Sequence, residues 1–297
     1  MPVVCAIPTP AFQAYHRRMT RRGLVLGSGG VAGVSWQTGL LAGLLEGGVD
    51  VLDADVVVGT SAGSTVAAQI TSGLPLGDLL ARQVDPALQA PELSPVLDAD
   101  DRLMLLLDAH DGATGALDVR RRIGAMAVAA PTITEAERRA VIEARLPSRS
   151  WPESGLRIVA VDGETGVERV FDATSGVDLV DAVAASSAVP GAWPPVTIDG
   201  RRYIDGSTRT AENADVAAGC ERILVLQVMQ IPGNSDLDEQ VAALRERGAR
   251  VTVIRPDDAA ALAIGPDVLD PAVREASARA GYAQGLRVAA STGAFWH

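Results

Sequence analysis

The chain has 297 residues, 47% hydrophobic and 21% charged, enough for a full core in one large domain or two small ones. Its formal charge is −11 and all 26 basic residues are arginines, so Schiff-base, phosphate-loop and Ser-Lys chemistries are excluded for want of a lysine. The acidic balance argues against a nucleic-acid partner, and the two cysteines, Cys5 and Cys220, suggest neither a disulfide framework nor a metal site and point to a reducing, cytoplasmic setting.

Residues 1–20 read as an N-terminal extension, poorly ordered and adding little to the fold, with Met19 an equally good start. Pro8 and Pro10 break any secretory signal. The stretch 23–45 is uncharged and of membrane-spanning length, but its seven glycines and its Ser28, Ser35, Gln37 and Thr38 make a poor lipid-facing helix. It reads better as a strand at 24–26, a glycine turn, and a helix from Val34 to Glu46 ended by Gly47 and Gly48. A second strand follows at 56–58, then a helix from Ala62 to Ser72 stopped by Gly73. Strand, helix, strand is the unit of an α/β sheet covered on both faces.

Residues 75–150 hold no convincing strand and read as a helical insertion or lid. Within it, 133–146 is amphipathic and opens on a capping box, Thr134 with Glu137. Strands are expected again at 156–162 and 167–172, joined by a hairpin. After them come a helix over 177–188, a turn at 189–195, a short hairpin over 196–205, a helix near 209–218 and a strand over 223–228. A helix near 236–248, a strand over 250–256 and a final helix near 271–290 complete the chain.

Two glycine loops carry the chemistry. The first, GSGGVAG at 27–33, lies between strand and helix and contains Gly-x-Gly-x-x-Ala at Gly27, Gly29 and Ala32. A dinucleotide site would need an acidic residue closing the next strand, where Gly59, Thr60 and Ser61 stand instead. The loop offers a nest of free backbone N–H groups that stabilises negative charge. The second, GTSAG at 59–63, matches Gly-x-Ser-x-Gly in its strand-turn-helix context, so Ser61 is either a nucleophile at the sheet's carboxyl edge or a helix N-cap. The histidines are His16, His110 and His297, in the extension, the insertion and at the terminus. A carboxylate is the better base to seek, and Asp205, before Gly206, provides one. Its alternative is an ordinary Asp-Gly hairpin turn.

GSGGVAG, GTSAG, AVAASSAVPGAWPPV at 182–196 and DGS at 205–207 occur in that order, and together they resemble the patatin-like phospholipases, a family of lipid acyl hydrolases. The resemblance spans about 22–297. It implies a three-layer αβα sandwich with a mainly parallel sheet in one domain over 21–297. It implies Ser61 as nucleophile, Asp205 as its direct partner in a dyad without histidine, and an oxyanion hole from the Gly29, Gly30 and Val31 amides. No cofactor or metal is implied. The expected partner is a lipid or small ester, with membrane contact peripheral and transient. Where the family's glycine loop usually carries Arg or Lys, this chain has Ala32, which favours a neutral or small ester. Two rival readings are a Ser-His-Asp hydrolase using His110 or His297, and a non-enzymatic relative that binds acyl chains or a protein.

Overall fold

The structure, a computed structural model, describes residues 21–153, 155–230 and 234–297. The expected N-terminal extension, with Cys5, His16 and Met19, lies outside the described residues.

Runs of β-branched and aliphatic residues form the centre of one mixed sheet. Its strands are β1 (Arg22–Leu26), β2 (Val56–Thr60), β3 (Leu156–Asp162), β4 (Glu168–Phe171), β5 (Val196–Ile198), β6 (Arg201–Asp205), β7 (Arg222–Leu226) and β8 (Arg250–Ile254). The order is β5-β6-β3-β2-β1-β7-β8, with β4 also paired to β3. From β3 to β8 neighbours are parallel, whereas β4, β5 and β6 join through antiparallel pairs. A parallel centre must be covered on both faces. Leu24, Leu26, Val57, Ile158 and Leu224 point to one core, and Val25, Val56, Val58, Ile223 and Val225 to the other.

The first core is filled by α1 (Gly30–Glu46), α2 (Ala62–Ile70), α3 (Leu76–Val84), α7 (Leu179–Ser186), α9 (Asp258–Ile264) and α10 (Arg274–Trp296). The opposite face packs against α8 (Asp236–Glu246), and beside β3 and β6 against α4 (Ala99–His110) and α5 (Ala116–Ala129). With α6 (Glu135–Arg145), the stretch 75–150 contributes four helices and no strand among the described residues. The capping box of Thr134 and Glu137 forms as expected.

The glycine-rich stretch that has spanning length folds as β1, a turn and α1. Among the described residues no helix is long and apolar enough to cross a membrane. The glycines serve helix packing: a Cβ on Gly39 would stand 2.1 Å from the Ala278 carbonyl oxygen, and one on Gly43 2.2 Å from that of Tyr282. Helices α1 and α10 therefore meet backbone to backbone, with Trp36 Nε1 donating to Gln284 Oε1 at 3.0 Å. Gly43→Val is expected to force them apart and to cost about 3 kcal/mol or more, read as a lower midpoint in urea. An unchanged midpoint would contradict this packing.

Three expectations need correction. The helix expected near 209–218 is replaced by 3-10 turns at Gly206–Thr208 and Ala214–Ala217. Between them Asn213 is left-handed (φ 52°), and its Nδ2 donates to the carbonyls of Gly206 and Thr210 and to Thr60 Oγ1, partners that a helix would not offer. Helix α9 follows β8 unforeseen, opened by Asp257, whose Oδ1 accepts the Ala260 N–H. The last helix runs on to Trp296, which is buried and donates through Nε1 to Asp53 at 2.8 Å, so the chain end is anchored.

Candidate active site

Strand β2 runs into α2 through the Gly-x-Ser-x-Gly turn. Ser61 sits there at φ 54° and ψ −117°, a conformation that costs a non-glycine residue about 1–3 kcal/mol. Its side chain makes no cap hydrogen bond, which removes the N-cap reading. The glycines permit the tight turn: a Cβ on Gly63 would lie 1.9 Å from the Leu26 carbonyl oxygen, and one on Gly59 2.6 Å from Ser64 Cα. Three groups hold the turn in place. The Ser61 N–H donates to Ser186 Oγ at 3.0 Å, that hydroxyl donates to the Val159 carbonyl at 2.6 Å, and Ser64 Oγ donates to the Ser61 carbonyl at 2.6 Å.

Asp205 reaches the same place from the other side of β3. Thr60 pairs with Val159 and Asp205 with Ala160, so the two strand ends flank β3 at one level. Two strand spacings put their backbones about 10 Å apart, a gap that side chains reaching over β3 close. Asp205 belongs to no hairpin turn; that role falls to Asp199 and Gly200, both at positive φ. Its side chain is fully buried. Oδ1 accepts the Ser207 N–H at 2.8 Å, while Oδ2 has no partner among the described residues. Burial pushes its pKa up to about 6, against the opposing pull of the Ser207 N–H, the Ser61 hydroxyl and the Arg138 guanidinium. The Ser61 hydroxyl thus lies close enough to favour the carboxylate without completing a hydrogen bond to it.

The glycine loop closes the site. Helix α1 begins at Gly30, and its first amides cannot bond within the helix. Ala32 donates to the Val268 carbonyl and Gly33 to that of Gly29, whereas among the described residues the Gly29, Gly30 and Val31 N–H groups have no acceptor. Gly30 and Val31 line a narrow crevice with Ser61, whose other walls include Ser187, Val189 and Trp193 from the segment 182–196. The nucleophile candidate, the carboxylate and free amides are therefore gathered at one sheet edge.

A family model described as patatin-like phospholipase matches residues 24–218. The chain belongs to the patatin-like phospholipase family. Among solved structures it is similar to VipD from Legionella pneumophila, at 14% identity over 92% of this chain and 67% of VipD, with a TM-score of 0.50. That likeness shows a shared fold, the three-layer sandwich. It is also similar to the type III effector ExoU of Pseudomonas aeruginosa, at 17% identity over 90% of this chain and 53% of ExoU, with a TM-score of 0.38. This patatin-like chain spans about half of ExoU's length. No curated protein sequence matches the chain significantly.

Neither His110 nor His297 lines the crevice. His110 is exposed at the end of α4, its Nδ1 2.7 Å from the Leu106 carbonyl. His16 lies outside the described residues. Among the described residues no three His, Cys, Asp or Glu side chains gather as metal ligands would. Two residues of this patatin-like site escape sequence reading. Ser186 lies inside AVAASSAVPG, and nothing local marks it as the prop of Ser61. Arg138 is one of several arginines on an amphipathic helix, yet its side chain is buried beside the crevice.

Proposed function

We propose that this patatin-like protein is a cytoplasmic serine acyl hydrolase that cleaves carboxylic esters of lipids through a Ser61–Asp205 dyad. The observation that supports this reading is the buried Asp205 Oδ2, which has no partner among the described residues and whose carboxyl is influenced by the Ser61 hydroxyl. Asp205 accepts the Ser61 proton as Oγ attacks the ester carbonyl. The Gly29, Gly30 and Val31 N–H groups, which have no backbone acceptor among the described residues, stabilise the oxyanion. Collapse of the tetrahedral intermediate releases the alcohol, which takes the proton back from Asp205 and leaves an acyl-serine. Water, deprotonated by Asp205, then attacks that ester, and as the acyl–Oγ bond breaks Asp205 returns the proton to Ser61 and the acid is freed. Contact with a membrane is peripheral, through the face that presents the crevice.

A base with a pKa of about 6 works near neutral pH, where an ordinary aspartate would be too weak. With nitrophenyl hexanoate as substrate, kcat/KM is expected to rise tenfold per pH unit below about 6 and to level off above it. A rate unchanged down to pH 4, or no hydrolysis at any pH, would reject the dyad as the working base.

A further inference from the structure

Arg138 is only 3% exposed, and its Nε and Nη1 are buried without any acceptor among the described residues. A buried guanidinium carries five N–H donors and is ordinarily paired, because an isolated charge is costly in a low-dielectric interior. Here its one close companion is an aromatic face: the guanidinium carbon lies 4.0 Å from the centre of the Trp193 ring, which favours a cation but supplies no acceptor oxygen. Desolvation, with Arg145 nearby, pushes the Arg138 pKa down to about 9, and Glu92 and Asp205 oppose this. The side chain therefore remains a cation at neutral pH.

Its surroundings add positive charge. Arg145 lines the same crevice as Arg138 and Ser61. Glu92 accepts from Arg145 and also from Arg274, so one carboxylate serves two guanidiniums while Arg138 has none of its own. Val31, Val34 and Arg145 also line an adjoining cavity that holds Arg82 and Arg274. In a chain of net charge −11 this groove is an arginine-lined exception. No cation comes from the glycine loop, where residue 32 is alanine.

We infer that Arg138, projecting from α6 and stacked on Trp193 beside Ser61, is the anion-binding residue of the crevice, and that the preferred ester carries a phosphate or carboxylate oxyanion close to its scissile carbonyl. This rests on the acyl-hydrolase reading of Ser61. The anion supplies the acceptors that Nε and Nη1 lack, in charge-assisted hydrogen bonds shielded from water. A neutral ester forfeits them and leaves the cation buried and unpaired.

The test uses the full chain and three unactivated alkyl esters of one acyl group: neutral glycerol hexanoate, a hexanoyl ester of a glycerol phosphodiester, and a hexanoyl ester of a hydroxycarboxylic acid. In wild type at least one anionic ester has the higher kcat/KM. In Arg138→Gln the anionic-to-neutral ratio falls by about tenfold to a hundredfold, mainly through KM, and Arg138→Lys restores part of it. Which anionic ester responds identifies the phosphate or carboxylate source. An unchanged ratio means that the guanidinium only supports Trp193 or Asp205, and it overturns the proposal, as does a wild type indifferent to charge. Should Arg138→Gln fail to fold, dimethyl phosphate and glycolate serve as probes on wild type: competitive inhibition by either supports the subsite, and inhibition by neither rejects it. Neutral-ester hydrolysis that survives in Ser61→Ala would instead reject the underlying reading.

Discussion

Ser61→Ala is expected to lower kcat for every ester by at least about four orders of magnitude while KM stays within a few-fold, because binding does not use the missing oxygen. The amides of Gly29, Gly30 and Val31 remain, so a small residual rate over water is expected to persist. The variant should fold normally. The Ser61 hydroxyl accepts no cap hydrogen bond, and the N–H that anchors the turn to Ser186 is a backbone group that alanine keeps. Ser61→Gly offers an internal contrast: glycine adopts φ 54° freely, so it is expected to be inactive yet more stable than Ser61→Ala by about 1 kcal/mol. Burst kinetics with a nitrophenyl ester and a urea titration check both halves. An alanine variant that lost about 1 kcal/mol and kept its turnover would be behaving as a helix cap without its hydroxyl, and Ser61 would not be the nucleophile.

Such a residue is legible in sequence because its constraints are local. A β-branched run, a tight glycine turn and a helix lie within 15 positions, and each glycine is required by a backbone approach inside that unit or to β1. The proposed partner of Ser61 is harder to read, since Asp205 owes its place to the antiparallel register of β6 on β3. The order of four motifs implies that pairing where no single motif does. Arg138 and Arg139 mark the limit of such reading. They are neighbours on α6 with the same side chain, yet Arg139 is solvated and paired with Asp181, while Arg138 is buried against Trp193, 55 positions on. Helical periodicity places both near the boundary of the polar face, and only the packing of α6 over the crevice separates them. The misread stretch at 209–218 has a similar cause. Its composition suits a helix, but Asn213 satisfies buried groups of β2 and of the turn after Asp205, and this interrupts the helix.

Asp205→Asn is expected to remove about three to four orders of magnitude of activity and, at the same time, to stabilise the protein. The amide keeps an acceptor for the Ser207 N–H but cannot take a proton from Ser61. The gain in stability follows from the fully buried carboxyl's pKa of about 6 against the ordinary aspartate value of 3.8. A carboxyl whose folded pKa is raised holds a proton in the native state that the unfolded chain has already released. Stability therefore falls as pH climbs from about 4 to about 6, and the whole penalty stands above that range. At 1.36 kcal/mol per unit the penalty is about 3 kcal/mol, and loss of the charge-assisted bond to Ser207 leaves a net gain of about 1–2 kcal/mol for asparagine at pH 8. The difference between variant and wild type should shrink toward pH 4. Glu212, also buried and pushed up to about 7, titrates in both proteins and drops out of that comparison. Urea midpoints at pH 4 and pH 8, measured beside ester turnover, separate the outcomes. An asparagine variant that is inactive but no more stable at pH 8 would mean that the native site does not hold a strained carboxylate. One that keeps its turnover would mean that the proton of Ser61 leaves by another route.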